Sequence, residues 1–269
     1  MVAVAELVGS QTAPKPPLKW AGGKRWLVPY LSRLWNPYRS RRFVEPLCGG
    51  LAISLGLGPE QTLISDINPH AINFYRWLKK GLNITLKMEN EQAYFYSCRA
   101  RFNQLIHQGK ANSKEAASLF YYLNRTCYNG LCRFNSKGEY NVPFGRYKNI
   151  NYKRQFTEYL PIFADWDFKC GDFEQLVLKS DDFIYADPPY DVQFTQYSKE
   201  NFTWDDQVRL ARWLAKHQGP VVLSNQATKR VQSLYRELGF ATILLNAPRL
   251  ISCSGYRSPA EEVLAIRNL

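Results

Sequence analysis

Four short strand-like runs in this chain, three of them mainly apolar and one alternating, each lead to an acidic residue on the way into a turn. That repeated exit constrains the fold more than any other feature. Phe43-Val44 stops at Glu45-Pro46, Thr62-Leu63-Ile64-Ser65 at Asp66, the run 166–169 at Cys170-Gly171-Asp172, and Phe183-Ile184-Tyr185-Ala186 at Asp187-Pro188. Runs this short, bounded by Gly, Pro and acids, read as buried strands. Further strand signals lie at 221–224, near 242–245 and near 262–266. Helical spacing falls between them. Asn68 caps a helix to about Lys80, with Ile72, Tyr75 and Leu78 on its apolar side and Gly81 as its stop. Asp205 to His217 is amphipathic, with Val208, Ala211 and Leu214 inward. Strand–helix alternation at both ends of the chain implies an α/β fold with a doubly wound, mainly parallel seven-stranded sheet. The four acidic exits then share one edge of that sheet.

The stretch from 90 to 150 breaks the alternation. Residues 91–108 suggest a helix, and Asn112 with Glu115 three residues on resembles a capping box opening another, through about Arg125. Residues 132–135 and 139–142 then flank Ser136-Lys137-Gly138 as the arms of a β-hairpin. The pattern predicts an inserted helical and β-hairpin domain, 89–154, between the second and third strands. Residues 18–88 and 155–269 make up the sheet domain. Residues 1–17, which contain Pro14, Pro16 and Pro17, read as a flexible N-terminal tail.

Charge is concentrated in the insertion. The net charge is +12, and between Arg99 and Arg154 eleven Lys and Arg face only Glu115 and Glu139, so +9 of it sits in about a fifth of the 269 residues. A strongly basic chain suits a polyanionic partner, and charge by itself would suit a membrane surface as well. The same window holds Phe102, Phe120, Tyr121, Tyr122, Tyr128, Phe134, Tyr140, Phe144 and Tyr147, and that interleaving favours a nucleic-acid surface. An apolar content of 45% supports a packed core and excludes a disordered composition. No apolar run is long enough to span a bilayer, and Met1 to Ser10, with Glu6 and no basic start, does not read as a convincing signal peptide. The six Cys include no Cys-x-x-Cys pair, Cys127 and Cys132 being closest, and His70, His107 and His217 lack metal-ligand spacing. The simplest reading is a reduced, cytoplasmic protein without a metal.

The strand exits carry chemistry suited to a ligand. Glu45-Pro46-Leu47-Cys48-Gly49-Gly50 forms the first strand-to-helix turn, where glycines let backbone approach a ligand closely. Asp66 ends the second strand 21 residues after Glu45, where an acid in a doubly wound fold binds ribose hydroxyls. Together they suggest an adenosine cofactor. The absence of Gly-x-Gly-x-x-Gly argues against a pyrophosphate. Upstream, Lys19-Trp20-Ala21-Gly22-Gly23-Lys24 precedes a helix and would pair Lys24 with a ligand carboxylate. Asp172-Phe173 would set an acid and a ring beside the adenine. At the fourth exit, Asp187-Pro188-Pro189-Tyr190 suits a poor amine nucleophile. The lone pair of a base's exocyclic amine is delocalised into the ring. A carboxylate from Asp187 and the rigidly framed Pro188 carbonyl, each accepting one N–H, would localise it. Tyr190 offers a flat face to an extruded base.

With these motifs assembled, the chain resembles the Dam-type DNA adenine-N6 methyltransferases, the alpha-ordered amino-methyltransferases in which cofactor motifs precede a target-recognition domain and then Asp-Pro-Pro-Tyr. The resemblance covers about residues 17–267. It is most specific at Asn124-Arg125, at Tyr128-Asn129-Gly130-Leu131-Cys132-Arg133-Phe134-Asn135 and at Asn141-Val142-Pro143-Phe144-Gly145-Arg146-Tyr147-Lys148. It implies a Rossmann-like methyltransferase domain with a DNA-recognition domain at 89–154. The implied cofactor is S-adenosylmethionine, released as S-adenosylhomocysteine, with no metal, and the implied partner is double-stranded DNA. Its catalytic positions fall on Asp187, Pro188, Pro189 and Tyr190. Its cofactor-binding positions fall on Trp20, Ala21, Gly22, Lys24, Glu45, Pro46, Leu47, Gly49, Asp66, Asp172, Phe173 and Asp187.

In GATC-methylating relatives the Arg like Arg133 contacts a guanine, and residues like Leu131 and Pro143 meet the neighbouring thymine. The one like Tyr128 wedges into the stack, and the Lys like Lys19 contacts a second guanine. Arg125, Asn129, Asn135, Arg146, Tyr147 and Lys148 complete the implied DNA-facing set. The chemistry is sound, since Arg forks onto guanine O6 and N7 and apolar groups meet the thymine methyl. The expected function is methyl transfer to adenine N6, in GATC, by base flipping. No obligate protein partner is implied, and a cognate restriction endonuclease is compatible. Alternatives are a cytosine-N4 or RNA amino-methyltransferase, and a DNA-binding relative without catalysis. Asp187 leans toward adenine over cytosine, and intact Asp187, Lys24 and Asp66 argue against the DNA-binding relative. The chain departs from the family at Leu47, where Phe usually opens the glycine turn, and at Leu51, which replaces its last glycine. The loop after Tyr190 is short but keeps Phe194-Thr195-x-Tyr197.

Overall fold

A computed structural model describes residues 14–190, 202–247 and 260–269; Phe194, Thr195 and Tyr197 lie outside them. All seven expected strands form and share one sheet. They are β1 (Phe43–Glu45), β2 (Thr62–Asp66), β3 (Trp166–Cys170), β4 (Phe183–Ala186), β5 (Val221–Gln226), β6 (Ala241–Ala247) and β7 (Ala260–Arg267), in the order β3-β2-β1-β4-β5-β7-β6. The first five pair in parallel, and β7 runs antiparallel between β5 and β6. β1 lies between β2 and β4, with Phe43 opposite both Thr62 and Phe183. The chain winds outward from β1 to β3 and returns on its other side as β4. The switch point therefore falls between β1 and β4, and a ligand crevice belongs at the carboxyl ends of these strands.

Helices cover both faces, so β1, β2 and β4 are buried along their whole length. Alternation still decides which helix each side chain meets. Val44, Leu63 and Ile184 pack against α7 (Trp204–Ala215) and α8 (Lys229–Glu237). Phe43, Phe183 and Tyr185 pack against α1 (Val28–Trp35) and Ile53 of α2 (Ala52–Leu57). Ile64 joins α3 (Pro69–Lys79) in a third cluster. Asn68 caps α3 as expected, accepting from His70 and Ala71 N–H. Among the described residues no helix is long and apolar enough to cross a membrane, and Cys48, Cys98, Cys127, Cys132 and Cys170 are free thiols.

The insertion lies between α3 and β3 and contains α4 (Gln92–His107) and α5 (Lys114–Thr126). Its apolar side chains run without a break into the core under β2 and α3. Tyr121 of α5 stacks on Phe74 of α3 with ring centroids 5.4 Å apart.

Four local expectations are corrected. The cap of α5 is Ser113, whose hydroxyl accepts from Ala116 N–H, and not Asn112, whose carbonyl takes the Trp77 indole N–H instead. The hairpin at 132–142 reduces to a turn and one bridge, Phe134 to Tyr140. Asn103 of α4 takes both backbone groups of Tyr140 on the outer side of the turn, and the Asn141 carbonyl, which the next rung would need, accepts from the Arg133 guanidinium instead. On α7 the inward position falls on Gln207 and not on the half-buried Val208. Thr203 and Asp206 form a capping box that sets this phase. Finally, residues 14–17 are docked and not loose. The Lys15 carbonyl accepts from the Tyr159 hydroxyl at 2.5 Å, and the Pro17 carbonyl from Arg125 at 2.6 Å.

Candidate active site

A cleft of about 670 Å³ opens at the carboxyl ends of β1, β2, β3 and β4. Trp20, Ala21, Gly22, Lys24, Glu45, Pro46, Leu47, Gly49, Asp66, Asp172, Phe173 and Asp187 to Tyr190 all line it, so the structure gathers every residue assigned to cofactor and catalysis. The glycine turn serves a purpose the sequence did not show. A Cβ on Gly49 would stand 2.6 Å from the Trp20 indole nitrogen, and one on Gly50 2.8 Å from Trp20 Cβ. The close approach is made by Trp20, which packs over the turn. Leu51 follows in the left-handed region at φ 62° with its side chain fully buried. Where the resemblance expects a glycine, the chain holds a leucine in a glycine-favoured conformation, at a cost of about 1–3 kcal/mol in strain.

Asp66 joins two of the exits. One carboxylate oxygen accepts from Gly49 N–H and the other from Asn68 N–H, each at 2.9 Å. Burial raises its pKa. Glu45 is held by the Ser54 hydroxyl and its backbone N–H, and burial pushes its carboxyl up to about 8. Asp172 caps the short turn that follows it and pairs with Arg209 at 2.8 Å. Arg209 also lies over the Phe173 ring, 4.6 Å from its centroid, so this ring is shared between the core and the cleft wall.

The Asp187-Pro188-Pro189-Tyr190 segment is fixed from the neighbouring strand and helix. Ser224 of β5 donates to Asp187 Oδ1 at 2.9 Å and lies 2.8 Å from the Tyr185 hydroxyl. Gln207 of α7 donates to the Pro189 carbonyl at 2.7 Å, and Asn225 of β5 in turn donates to Gln207 Oε1 at 3.0 Å. Ser224, Asn225 and Gln207 are buried. Burial raises the Asp187 carboxyl to about 6, opposed by the charge of Lys24 and the bond from Ser224. Lys24 itself is buried, 3.5 Å from Asp187 Oδ1 and 2.8 Å from both oxygens of Glu262 on β7. In this structure Lys24, expected to meet a ligand carboxylate, meets an internal one. Its ammonium also donates to the Tyr190 hydroxyl, which donates to Glu262.

The basic window divides into core and surface. Phe102, Phe120, Tyr121, Tyr122 and Tyr140 are buried and build the insertion. Interleaved aromatics were therefore largely a core signal. Tyr128 is 52% exposed, and Asn129, Pro143, Arg146 and Lys148 are exposed. Tyr128 N–H donates to the Pro143 carbonyl, and Leu131 N–H to that of Tyr128, which brings the three together. Arg133 is half-buried, its guanidinium donating to the Asn141 side chain at 2.8 Å and backbone at 3.3 Å. Lys19 donates to the Arg125 carbonyl and lies over Tyr147, 3.9 Å from its ring centroid. Arg125 is turned inward to Pro17, and Asn135 spends its side chain on Lys137 and Glu139 in shaping the turn. Asn124 clamps the backbone of Lys19 at both its N–H and its carbonyl, and so bolts the insertion to the loop that carries Trp20.

Comparison with known proteins decides the family. The model of the D12 class N6 adenine-specific DNA methyltransferases matches residues 20–248. The chain belongs to this family. A DNA adenine methylase of Vibrio cholerae is 35% identical over 270 residues, covering 93% of this chain and 94% of that protein. A Type II methyltransferase of Methanocaldococcus jannaschii is 32% identical over 274 residues, 90% and 94% of the two. The DNA N-6-adenine-methyltransferase of Escherichia phage P1 is 33% identical over 267 residues, 92% of this chain. The chain spans about a third of that phage protein, 35% of its length.

The sheet is accordingly a Rossmann-like methyltransferase fold, and the enzyme is an adenine-specific DNA methyltransferase. Sequence reasoning missed several residues of its site. Ser224 and Asn225 end an apolar strand on polar residues, the same signal read at the four earlier exits, and could have been found. Gln207 was obscured by the helix phase. Ile67, 69% exposed beside Asp66, lines the cleft and has only its exposure to mark it. Glu262 has no local signal at all.

Proposed function

We propose that the enzyme takes its methyl group from S-adenosylmethionine and delivers it to N6 of an adenine flipped out of duplex DNA at GATC. The observation that carries the cofactor is the charge of the cleft. In a chain of net charge +12, the cleft is lined by the carboxylates Asp66, Asp172, Asp187 and Asp206, with the buried Glu45 as a further acid that a cationic ligand would ionise. Its two cations are already paired, Lys24 with Glu262 and Arg209 with Asp172. Such a lining suits a ligand bearing a sulfonium and an ammonium group, and the volume lies in the range of small-molecule sites. Asp66 would face the ribose and Glu45 the cationic end. When bound, S-adenosylmethionine supplies an electrophilic methyl group.

The chain's own residues do the rest. Asp187 accepts one N–H of the target amine and the Pro188 carbonyl the other, which turns the nitrogen lone pair out of conjugation. Tyr190 stacks on the extruded base. As the N–C bond forms, the nitrogen becomes cationic, and its extra proton passes to Asp187. At about 6 the Asp187 carboxyl is ionised near neutral pH and still basic enough to take it. Tyr128, Leu131, Arg133 and Pro143 read the site, and Arg146 and Lys148 meet phosphates. The GATC assignment is supported by the match of these residues to that branch, with Arg133 as the guanine reader. The test is to expose a plasmid to the protein with S-adenosylmethionine, identify the modified nucleoside, and map methylated positions by sequencing. N6-methyladenine confined to GATC is expected. Methylation at a different or longer motif would overturn the target, and no cofactor-dependent modification would overturn the site.

A further inference from the structure

We propose that Glu262 is a positioning residue of the methyl-transfer centre. It holds Lys24 beside Asp187 and Tyr190 against the cleft wall, and so fixes where the cation and the stacking ring stand relative to the target amine. The inference rests on the reading of residues 187–190 as the catalytic segment. Glu262 lies 75 positions beyond Asp187 and reaches the site only because β7 inserts beside β5, where it stands opposite Gln226. It is 5% exposed and Lys24 3%. Both Glu262 oxygens accept from Lys24 at 2.8 Å, while Asp187 Oδ1 is 3.5 Å from the same nitrogen. Lys24 therefore prefers Glu262. The Tyr190 hydroxyl bridges the pair, and Lys24 lies 4.3 Å from the centroid of its ring.

A buried ion pair of this kind is a poor device for stability, since two apolar side chains would serve the fold as well. Its use lies in what it does to Asp187. With Glu262 present, the Lys24 charge is met elsewhere and the lone pairs of Asp187 remain open to the amine. Without it, Lys24 has only Asp187 to turn to. The carboxylate is then drawn from the amine and made a weaker base. The charged or titratable groups around Asp187 are Lys24 from the loop before α1, Glu45 from β1, Tyr185 from β4, Tyr190 and Glu262. Among them Lys24 lowers the Asp187 pKa, and Glu262 raises it. The hydroxyl contact has a second effect, because it orients the ring on which the base stacks.

The test uses the full-length chain and a duplex carrying the mapped site. Glu262→Gln keeps the shape and the acceptor but removes the charge. Its acid limb of kcat should move down by on the order of half a pH unit or more. Its kcat above that limb should fall about tenfold, with KM for DNA and S-adenosylmethionine within about threefold. Glu262→Asp, which restores the charge, should return the limb toward its original position. Glu262→Ala should in addition change the fluorescence of 2-aminopurine placed at the target, because Tyr190 loses its anchor. An acid limb that stays put in both Glu262→Gln and Glu262→Ala overturns the inference, as does a loss of kcat fully explained by a loss of folded protein. Asp187→Asn run in parallel isolates the underlying reading. If that variant retains turnover, the catalytic segment itself is misassigned, whatever Glu262 does.

Discussion

Ser224→Ala probes how the fold sets the basicity of Asp187. The Ser224 hydroxyl has one proton, and the geometry spends it on Asp187 Oδ1 at 2.9 Å. The Tyr185 hydroxyl at 2.8 Å must therefore donate into Ser224, giving a buried chain from Tyr185 through Ser224 to Asp187. A hydrogen bond to a charged carboxylate contributes about 1.5–3 kcal/mol, and it favours the ionised form alone. Its removal should raise the Asp187 pKa from about 6 by about one unit or more. At pH 7 the ionised fraction then drops from about nine-tenths to about a half. A carboxylate freed from its anchor loses a further few-fold, about, through misorientation.

Single-turnover methylation measured across pH should thus show the acid limb displaced upward, opposite in sign to the Glu262→Gln shift. Only the orientation deficit should remain at high pH. The same change leaves a buried Tyr185 hydroxyl unpaired, a stability loss of about 1–3 kcal/mol. Adding Tyr185→Phe removes that orphan and should restore much of the Tm without restoring the limb. If the double variant recovered both, or the limb of Ser224→Ala did not move, the hydroxyl chain would have no part in setting Asp187.

Other expectations follow from the same geometry. Asp187→Asn should raise Tm at pH 7 while abolishing turnover, because burial lifts this carboxyl from 3.8 to about 6. The ionised wild-type side chain therefore carries a folding penalty on the order of 3 kcal/mol at most. A raised carboxyl pKa means the penalty grows as pH rises from about 4 to 6, so the Tm advantage should vanish toward pH 4, as melting curves over pH would show. Glu45, pushed up to about 8, is largely protonated at pH 7. Binding of a cationic cofactor should release a proton there. Calorimetry in buffers of different ionisation enthalpy should detect it, and Glu45→Gln should lose it. Arg133→Ala should cost about 1–3 kcal/mol of discrimination at one guanine, with a smaller effect on non-specific affinity. Asn141→Ala, which frees the Arg133 guanidinium, should relax the same base pair more mildly in assays on single-base variants of the site. Leu51→Gly relieves left-handed strain of about 1–3 kcal/mol but forfeits a fully buried Leu worth about 2–5 kcal/mol. Chemical denaturation should therefore show a net loss.

Much of the site was legible because its chemistry is local. Each of Glu45, Asp66, Asp172 and Asp187 follows a short strand-like run, and a polar group at a strand exit is visible beside the run itself. The Asn68 cap and the Gly81 stop were legible for the same reason, since a helix end is satisfied by residues within a turn of it. The aromatics of the basic window misled because composition does not say which way a ring faces. Tyr121 and Tyr128 are seven positions apart, and one is core while the other is surface. Val208 and Gln207 exchanged roles because the capping box, not the apolar pattern, sets the phase of α7.

By itself the sequence determined the order of strands along the chain, the residues at their ends and the acidic character those residues bring to one edge of the sheet. Only the tertiary structure decided how that chemistry is tuned. Ser224, Gln207 and Glu262 act on a segment 37, 18 and 72 residues away. They reach it because β5 pairs with β4 and β7 enters between β5 and β6. Side-chain identity is written residue by residue, whereas the burial that raises Asp187 and the partners that restrain it arise only when distant strands come into register.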